Sequence, residues 1–578
     1  MKKLVSTTLA LLLIVSAAPI IAQEFREISV KDYRDKMKAG WIGQIAGVCW
    51  GAPTEFKFNG TIIPEDKMPK WTPEMINHAF GQDDLYVEMT FLRSMEQYGL
   101  DVSQRQAGID FANSGYQLWH ANDAGRKNLR RGIAPPDSGH PAFNKHADDI
   151  DYQIEADYSG LIAPGLPKVV VELGEKFGGL MNYGDGIYAG QFVGGMYAEA
   201  FFETDIKKII AAGLDCIPPD SQYAEMVRDV MKWYDENPSD WTTCWHKIDE
   251  KYQKNLDYRR VSCDTGKFNI DAKINGAYIL VGLLYGKGGL DQTIVLSTRC
   301  GQDSDCNPSN AGGVLFTTLG FSKLPPRFSE KLDEKTKFSY TEYNFPALLD
   351  VCEKLARQAV LQSGGKIVKR NGEEVFWIPR QNSSGHMATV RGNIFGRPRI
   401  TIVQTSPKPY KPAWKPDLPQ NTKFTDAEYK LIEKREYSLD EAVEKFFPGW
   451  KLTDCGPDMD PGYRKQYHGK KDVVMTHPKA KGEPCILSKT VELPKDKKPT
   501  LKLVVAAHDA AKAQFDWELI VKADGKELLK RQIIGGWTDV SVDLSEYAGK
   551  TVKLELLNQP NGWSCEAGYW NEIKIVFQ

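Results

Sequence analysis

An all-helical amino-terminal domain followed by an all-β sandwich is the architecture the amino-acid sequence predicts. Three observations carry it. From Glu27 to about Gln362 apolar residues recur mostly at helical spacing. From Trp450 onward, short runs of β-formers alternate apolar with polar residues between turn signals. A chain of 578 residues, 42% hydrophobic and 26% charged, has material for a large core and two to four domains. The expected segments are 1–22 as a signal peptide, 23–365 as the helical domain, 366–440 as a hairpin and Pro-rich linker, and 441–578 as the β-sandwich.

The amino terminus reads as a secretory signal. Lys2 and Lys3 precede Leu4 to Ile21, almost wholly apolar or small, and Ala22 offers a small residue before Gln23. The rival reading is an uncleaved anchor, since the run approaches spanning length; its small residues and Ser/Thr content favour cleavage. No later stretch is long and apolar enough to span, so a secreted or periplasmic product without membrane association is expected. A formal net charge of −2 leaves no basic excess to neutralise phosphates, which argues against a nucleic-acid partner. The ten cysteines are scattered without a CxxC pair. Export permits disulfides, and Cys455, Cys485 and Cys565 share the carboxy-terminal part, but spacing gives no pairing.

Tyr33 to Val48 mixes charged and apolar residues at helical spacing and carries Gly40, Gly43, Ala46, Gly47 and then Gly51, small residues that permit close approach of a second helix or a ligand. Ala52-Pro53 ends it. Gln82-Asp83-Asp84 then opens an apolar helix from Leu85 to Leu92. Helix capping explains one of these aspartates; a second at the start of a buried helix needs a cation. Ala134 to Pro141 reads as a long surface loop, and Asp148, Asp149 and Asp151 as a solvated face. Asn182-Tyr183-Gly184-Asp185 enters a Gly/Ala-rich helix, with Asp185 either a cap or a site residue. Further helices are expected over Tyr223–Tyr234, Ile270–Leu284 and Asp291–Thr298. Arg370-Asn371-Gly372-Glu373 signals a hairpin, Thr405–Pro419 a linker or wrapping strap, and Thr425–Phe447 one helix. Strands follow at Thr500–Ala506, Phe515–Ala523, Trp537–Leu544 and Val552–Leu557, with Asp524-Gly525 a hairpin turn.

The chemistry is concentrated in Gly301-Gln302-Asp303-Ser304-Asp305-Cys306-Asn307, a tight turn into an apolar helix. If this turn meets Gln82-Asp83-Asp84, four carboxylates converge. Like charges so close cannot all stay ionised in a partly buried site without a cation. All-oxygen ligation points to Mg²⁺, with Mn²⁺ or Ca²⁺ as alternatives, in one or two ions; a pair about 3.5–4 Å apart would polarise substrate and lower the pKa of a water. An EF-hand does not fit, because Pro308 stands where its glycine belongs and Val314 where its bidentate Glu belongs.

These motifs resemble the ADP-ribosylglycohydrolase family, which includes the dinitrogenase-reductase-activating glycohydrolase. Gly51-Ala52-Pro53-Thr54-Glu55 is similar to its Gly-Ala-x-x-Glu turn, Gln82-Asp83-Asp84-Leu85 to its Thr-Asp-Asp-Thr motif, and Gln302-Asp303-Ser304-Asp305-Cys306-Asn307 to its Gly-Asp-Thr-Asp-Thr-Asn motif, in the same order over roughly 340 residues. The resemblance implies an all-α domain whose two-magnesium site binds a ribose-like ring and cleaves at its anomeric carbon. It implies metal ligation by Asp83, Asp84, Asp303 and Asp305 with Gln82 and Cys306 at the two threonine positions, catalytic roles for Glu55, Asp83 and Asp303, and substrate contacts from Asn182, Gly184, Asp185 and Asn307. Gln82 keeps an amide oxygen, whereas Cys306 is a soft ligand for a hard ion. The implied partner is a small-molecule glycoside or glycan. A sugar or nucleotide-sugar binding protein with a degraded metal site, and a metal-dependent phosphoesterase, are the rival functions. The carboxy-terminal part resembles carbohydrate-binding or galactose-binding-like sandwiches, whose aromatics Trp517, Trp537, Trp563, Tyr569 and Trp570 either stack on sugars or fill the core.

Overall fold

The structure, a computed structural model, describes residues 24–578 except 264–265, 382–415, 434–435, 457–458, 460, 509–515 and 563–564. The expected signal segment, most of the strap at 405–419 and Trp563 therefore lie outside the described residues. The chain forms two compact units, one of residues up to Arg126 with Ala134–Lys423, the other of Lys127–Ile133 with Phe424–Gln578.

The first unit is helical. Its long first helix, Val30–Gly51, runs along the Cys306–Leu319 helix, and Ala272–Tyr285 is buried along its whole length, which explains its lack of a polar face. No helix among the described residues is long and apolar enough to cross a membrane. One small antiparallel sheet accompanies the helices: β1 (Phe25–Ser29), β2 (Lys366–Arg370) and β3 (Glu373–Pro379), in the order β1-β3-β2. The β2–β3 turn is Asn371-Gly372, with φ of 52° and 88°, the doubly left-handed conformation that makes Asn-Gly the favoured hairpin pair. This hairpin pairs with β1 across Phe25–Ser29 and so packs with the helices that precede it.

The second unit is a sandwich of two five-stranded antiparallel sheets. One has the order β10-β9-β12-β7-β4, built from β4 (Lys451–Thr453), β7 (Cys485–Glu492), β9 (Asp516–Ala523), β10 (Lys526–Ile534) and β12 (Thr551–Gln559); the other has β11-β8-β13-β6-β5, from β5 (Gly462–Tyr467), β6 (Lys470–Thr476), β8 (Pro499–Ala506), β11 (Thr538–Asp543) and β13 (Gly568–Phe577). On β12, Val552, Leu554 and Leu556 alternate inward, and they share one core with Leu501, Leu503 and Val505 of β8. Trp517 and Trp570 are core residues whose indole N–H groups donate to Ala506 O and Thr476 Oγ1 at 3.0 and 2.9 Å. Tyr569 is buried and stacks on Tyr467 at 3.8 Å, while Trp537 is half-exposed. No disulfide joins the cysteines among the described residues.

Three expectations are corrected. Thr425–Phe447 is not one helix but two, Asp426–Lys430 and Leu439–Phe446, because Ser438 and Glu441 form a capping box that starts a second helix. Ala134 to Pro141 is largely buried: Asp137 accepts from the backbone N–H groups of Gln420 and Thr422, so a later segment of the same unit covers it. Asp148, Asp149 and Asp151 are buried as well. Each has a partner that the local sequence hides: Asp148 faces Lys273 at 3.4 Å, Asp149 faces His146 at 2.8 Å, and Asp151 accepts from Asn122 N at 2.9 Å.

Candidate functional site

The glycines of the first helix set how closely the two ends of the site approach. A Cβ on Gly47 would stand 2.2 Å from Pro308 O, and one on Gly51 would stand 2.1 Å from Ser304 O, contacts no side chain can make. The helix therefore lies directly on the backbone of the 304–308 turn. Stitching continues past its end: Thr54 Oγ1 and Ser304 Oγ are 2.8 Å apart, and Phe56 N donates to Gln302 O at 3.1 Å. Gly301 takes φ of 83° with Phe58 O only 2.4 Å from where a Cβ would be. Glu55 is thus carried beside Asp303 and Asp305.

Asp83 and Asp84 open the Asp83–Tyr98 helix, and Cys306 opens the Cys306–Leu319 helix. The two starts meet. Cys306 Sγ donates to Asp84 Oδ2 at 3.2 Å and lies 3.8 Å from Asp305 Oδ1. The ligand atoms of Asp303, Asp305 and Cys306 lie within 4.8 Å of one another. Asp84, Asp303, Asp305, Cys306 and Asn307 are buried, Asp83 and Gln82 half-buried, and Glu55 stands at the exposed rim. Gln82 precedes the helix without using its side chain as a cap, which leaves its amide free for another role.

The electrostatics are those of a site short of positive charge. Burial, with the charges of Asp83 and Asp305, drives the Asp84 carboxyl well above the usual range; burial and Asp303 do the same for Asp305. Asp303 is pushed up to about 8 by burial, helped by Glu55 and Asp84, and burial also raises Asp83. Glu55 reaches about 8 because the protein desolvates its carboxyl and Asp305 and Asp83 lie nearby, even though much of its surface is open to solvent. Asp84 Oδ1, Asp303 Oδ1 and Asn307 Oδ1 are buried with no hydrogen-bond donor among the described residues. Orphaned oxygens of this kind are costly unless something positive sits against them. A hard divalent cation fits the donor set, which is oxygen throughout except at Cys306. Burial, with the neighbouring Asp303 and Asp305 charges, keeps the Cys306 thiol protonated, and it spends that proton on Asp84.

A second row of carboxylates lies behind the first. Glu88 accepts from Gln44 Nε2 at 2.6 Å and Tyr158 N at 2.9 Å; Asp157 accepts from Asn310 Nδ2 at 2.7 Å; Glu155 accepts from Asn122 Nδ2. Burial raises all three, Asp157 to about 7. Sequence reasoning missed them. Glu88 carried a signal, since it follows Asp84 by four residues and so shares its helix face; Glu155 and Asp157 carried none.

Other expected site residues lie elsewhere. Asp185 accepts from Tyr223 N at 3.0 Å and lies 3.9 Å from Lys273 Nζ, a buried lysine also met by Asp148 and Asp271. Asn182 donates to Ala147 O and Asp149 O at 3.0 and 2.8 Å and accepts from Tyr152 N, which makes it a brace for the 147–152 segment. Asn182 and Gly184 line a cavity of about 210 Å³ with Asp137, His140 and Tyr188, and none of the cluster carboxylates borders it. Asn307, by contrast, sits at the cluster and donates to Asn275 Oδ1 at 2.9 Å.

The model of the family described as ADP-ribosylglycohydrolase matches residues 29–364. Among solved structures, an ADP-ribosylglycohydrolase-related protein complex aligns at 14% identity and a TM-score of 0.36, over 57% of this chain and 99% of that one. Another, described as "CBM4 structure and function", aligns at 12% identity and a TM-score of 0.16, over 22% of this chain and 86% of that one. No curated protein matches.

Proposed function

The chain belongs to the ADP-ribosylglycohydrolase family, hydrolases of glycosidic bonds, and on that premise we propose that it is an exported, divalent-metal-dependent glycoside hydrolase acting on a small ribosyl-like or glycan substrate. The observation that carries the reading is the pair of orphaned buried oxygens, Asp84 Oδ1 and Asp303 Oδ1, on two distant motifs joined by the Cys306–Asp84 contact. Asp83, Asp84, Asp303 and Asp305 would hold the metal, with Gln82 beside them and Asn307 available to substrate or ion. Mg²⁺ suits this set best, with Mn²⁺ and Ca²⁺ as alternatives. Bound there, a divalent ion would supply Lewis-acid charge next to the hydroxyls of the sugar ring.

The residues themselves divide the remaining work. Glu55 stands at the rim and keeps its proton up to about 8 in the metal-free chain; with a cation beside Asp305 and Asp83 it would release that proton, leaving a carboxylate suited to take one from the attacking water. Asp303, buried with the Glu55 charge nearby, is the alternative base. The carboxylates also favour the positive charge that develops at the anomeric carbon in an oxocarbenium-like transition state. Glu88 and Asp157 orient the first row: they fix Gln44, Tyr158 and Asn310 around the two helix starts.

A second reading is a sugar-binding protein that has lost turnover. It is favoured by one observation, the neutral thiol of Cys306 at a position where a hard ligand would complete the set. Release of free sugar from a panel of N- and O-glycosides, with Mg²⁺ and with chelator, separates the two. Metal-dependent release that is lost in Asp84→Asn supports the hydrolase; binding of sugars without release from any panel member supports the second reading.

A further inference from the structure

The helical unit holds another cluster, of different chemistry from the acids. His120 Nδ1 lies 3.1 Å from Cys263 Sγ and 3.8 Å from Asp149 Oδ2. His146 Nδ1 lies 3.3 Å from the same sulfur and 2.8 Å from the same carboxylate oxygen. All four atoms fall within 4.8 Å of one another. We propose that His120, His146, Asp149 and Cys263 form a tetrahedral site for a zinc-class divalent cation, independent of the acid cluster and of the reaction proposed for it.

Geometry and donor type both favour this. Zinc bonds of about 2.0–2.1 Å to nitrogen or oxygen and about 2.3 Å to sulfur place neighbouring ligand atoms roughly 3.3–3.7 Å apart in a tetrahedron. The four distances above, 2.8 to 3.8 Å, bracket that range, so shifts of a few tenths of an ångström would close the site. Two imidazoles, one thiolate and one carboxylate are a borderline-soft set, which selects zinc-class ions over Mg²⁺ or Ca²⁺.

Without a cation the atoms pair two by two, His146 Nδ1–H donating to Asp149 Oδ2 and the Cys263 thiol donating to His120 Nδ1. One cation satisfies all four atoms together.

The scaffold around these atoms is built to hold them. Asp149 is fully buried, its carbonyl accepts from Asn182 Nδ2 at 2.8 Å, and its Oδ1 accepts from Cys263 N at 3.1 Å, which turns the Cys263 loop toward the histidines. His146 N is fixed by Asn144 Oδ1 at 2.9 Å. His120 begins the His120–Arg130 helix at φ of 43°, a left-handed backbone that non-glycine residues adopt at a cost. Four protein ligands leave no open position, so the ion is structural rather than hydrolytic. What it would fix is the position of Cys263, with Phe268 close by. The Phe268 ring packs 5.9 Å from His120 and 5.0 Å from Phe56, the neighbour of Glu55, so the ion would set one wall beside the rim carboxylate.

The test uses the full chain, stripped with chelator and reloaded with Zn²⁺ in the presence of excess Mg²⁺. One equivalent of zinc per chain should remain after desalting, and X-ray absorption should show one sulfur and two imidazoles. The acid cluster offers Asp303, Asp305 and Cys306 without a histidine, so the imidazole signature distinguishes the two places. Cys263→Ser and His120→Gln should each lower zinc affinity at least tenfold, and Cys306→Ser should leave it unchanged. The wild-type spectrum decides the matter even if a variant fails to fold. Substoichiometric zinc, a bound ion without imidazole ligands, or zinc lost in Cys306→Ser and retained in Cys263→Ser would each overturn the assignment.

Discussion

Gly47→Ala probes the contact on which the site depends. The added methyl would sit 2.2 Å from Pro308 O and 2.4 Å from Pro308 C, both backbone atoms that no rotamer change can move aside. Relief to an ordinary contact of about 3.5 Å requires the first helix and the 304–308 turn to separate by roughly 1.3 Å. Such overpacking costs about 1–3 kcal/mol, offset in part by a helix-propensity gain of up to about 1 kcal/mol for replacing glycine. The functional cost is expected to be larger, since Asp305 rides on the displaced turn while Asp84 is held by a different helix, and misplacement by about 1 Å can lower activity on the order of a hundredfold. Calorimetric melting and Mg²⁺ titration of the variant measure the two effects separately. Gly536→Ala is the control, because a Cβ there meets nothing within 4 Å. If Gly47→Ala melts and binds metal as the wild type does, the close approach of helix and turn does not position the carboxylates, and the reasoning fails.

Three further predictions follow from the same structure. Cys306→Thr replaces a neutral thiol with a hard oxygen and should tighten Mg²⁺ binding by roughly tenfold, about 1.4 kcal/mol; unchanged or weaker binding in a titration would show that position 306 is not a ligand. In the metal-free chain Asp303 and Glu55 keep protons up to about 8, while carboxyls of the unfolded chain ionise near 4. The folded state therefore binds more protons across that window, so metal-free stability should fall as pH rises from about 4 to 8 and Mg²⁺ should restore it at the upper end; a melting temperature in chelator that climbs over this range would contradict the account. Lys273→Met leaves Asp148, Asp185 and Asp271 buried without their shared cation, so a urea midpoint lowered by the equivalent of about 3–5 kcal/mol is expected, against a null result if these aspartates are simply protonated.

The fold and the two halves of the site were readable because each left a local mark. Paired aspartates at 83–84 and 303–305 open apolar helices, the glycines of the first helix recur on one face, and Asn371-Gly372 and Asp524-Gly525 name their own turns. What stayed hidden depends on partners far away in the chain. Asp148, Asp149 and Asp151 have the composition of a solvated face, and their burial is made possible by Lys273, by His146 beside Cys263, and by the start of the His120–Arg130 helix. Glu155 and Asp157 look like ordinary surface acids until Asn122 and Asn310 are brought to them. Asp185, at a glycine-rich turn, reads equally as a cap or a site residue; its carboxylate accepts from Tyr223 N and lies near Lys273, partners that the local sequence does not announce.

The central claim is that carboxylates from both motifs hold one divalent ion in common. Isothermal titration of Mg²⁺ and Mn²⁺ into the metal-free wild type, Asp84→Asn and Asp303→Ala tests it most directly. Saturable binding by the wild type, weakened at least tenfold by either substitution alone, is the predicted result. Absence of binding at millimolar metal, or loss in only one of the two variants, would contradict a shared site.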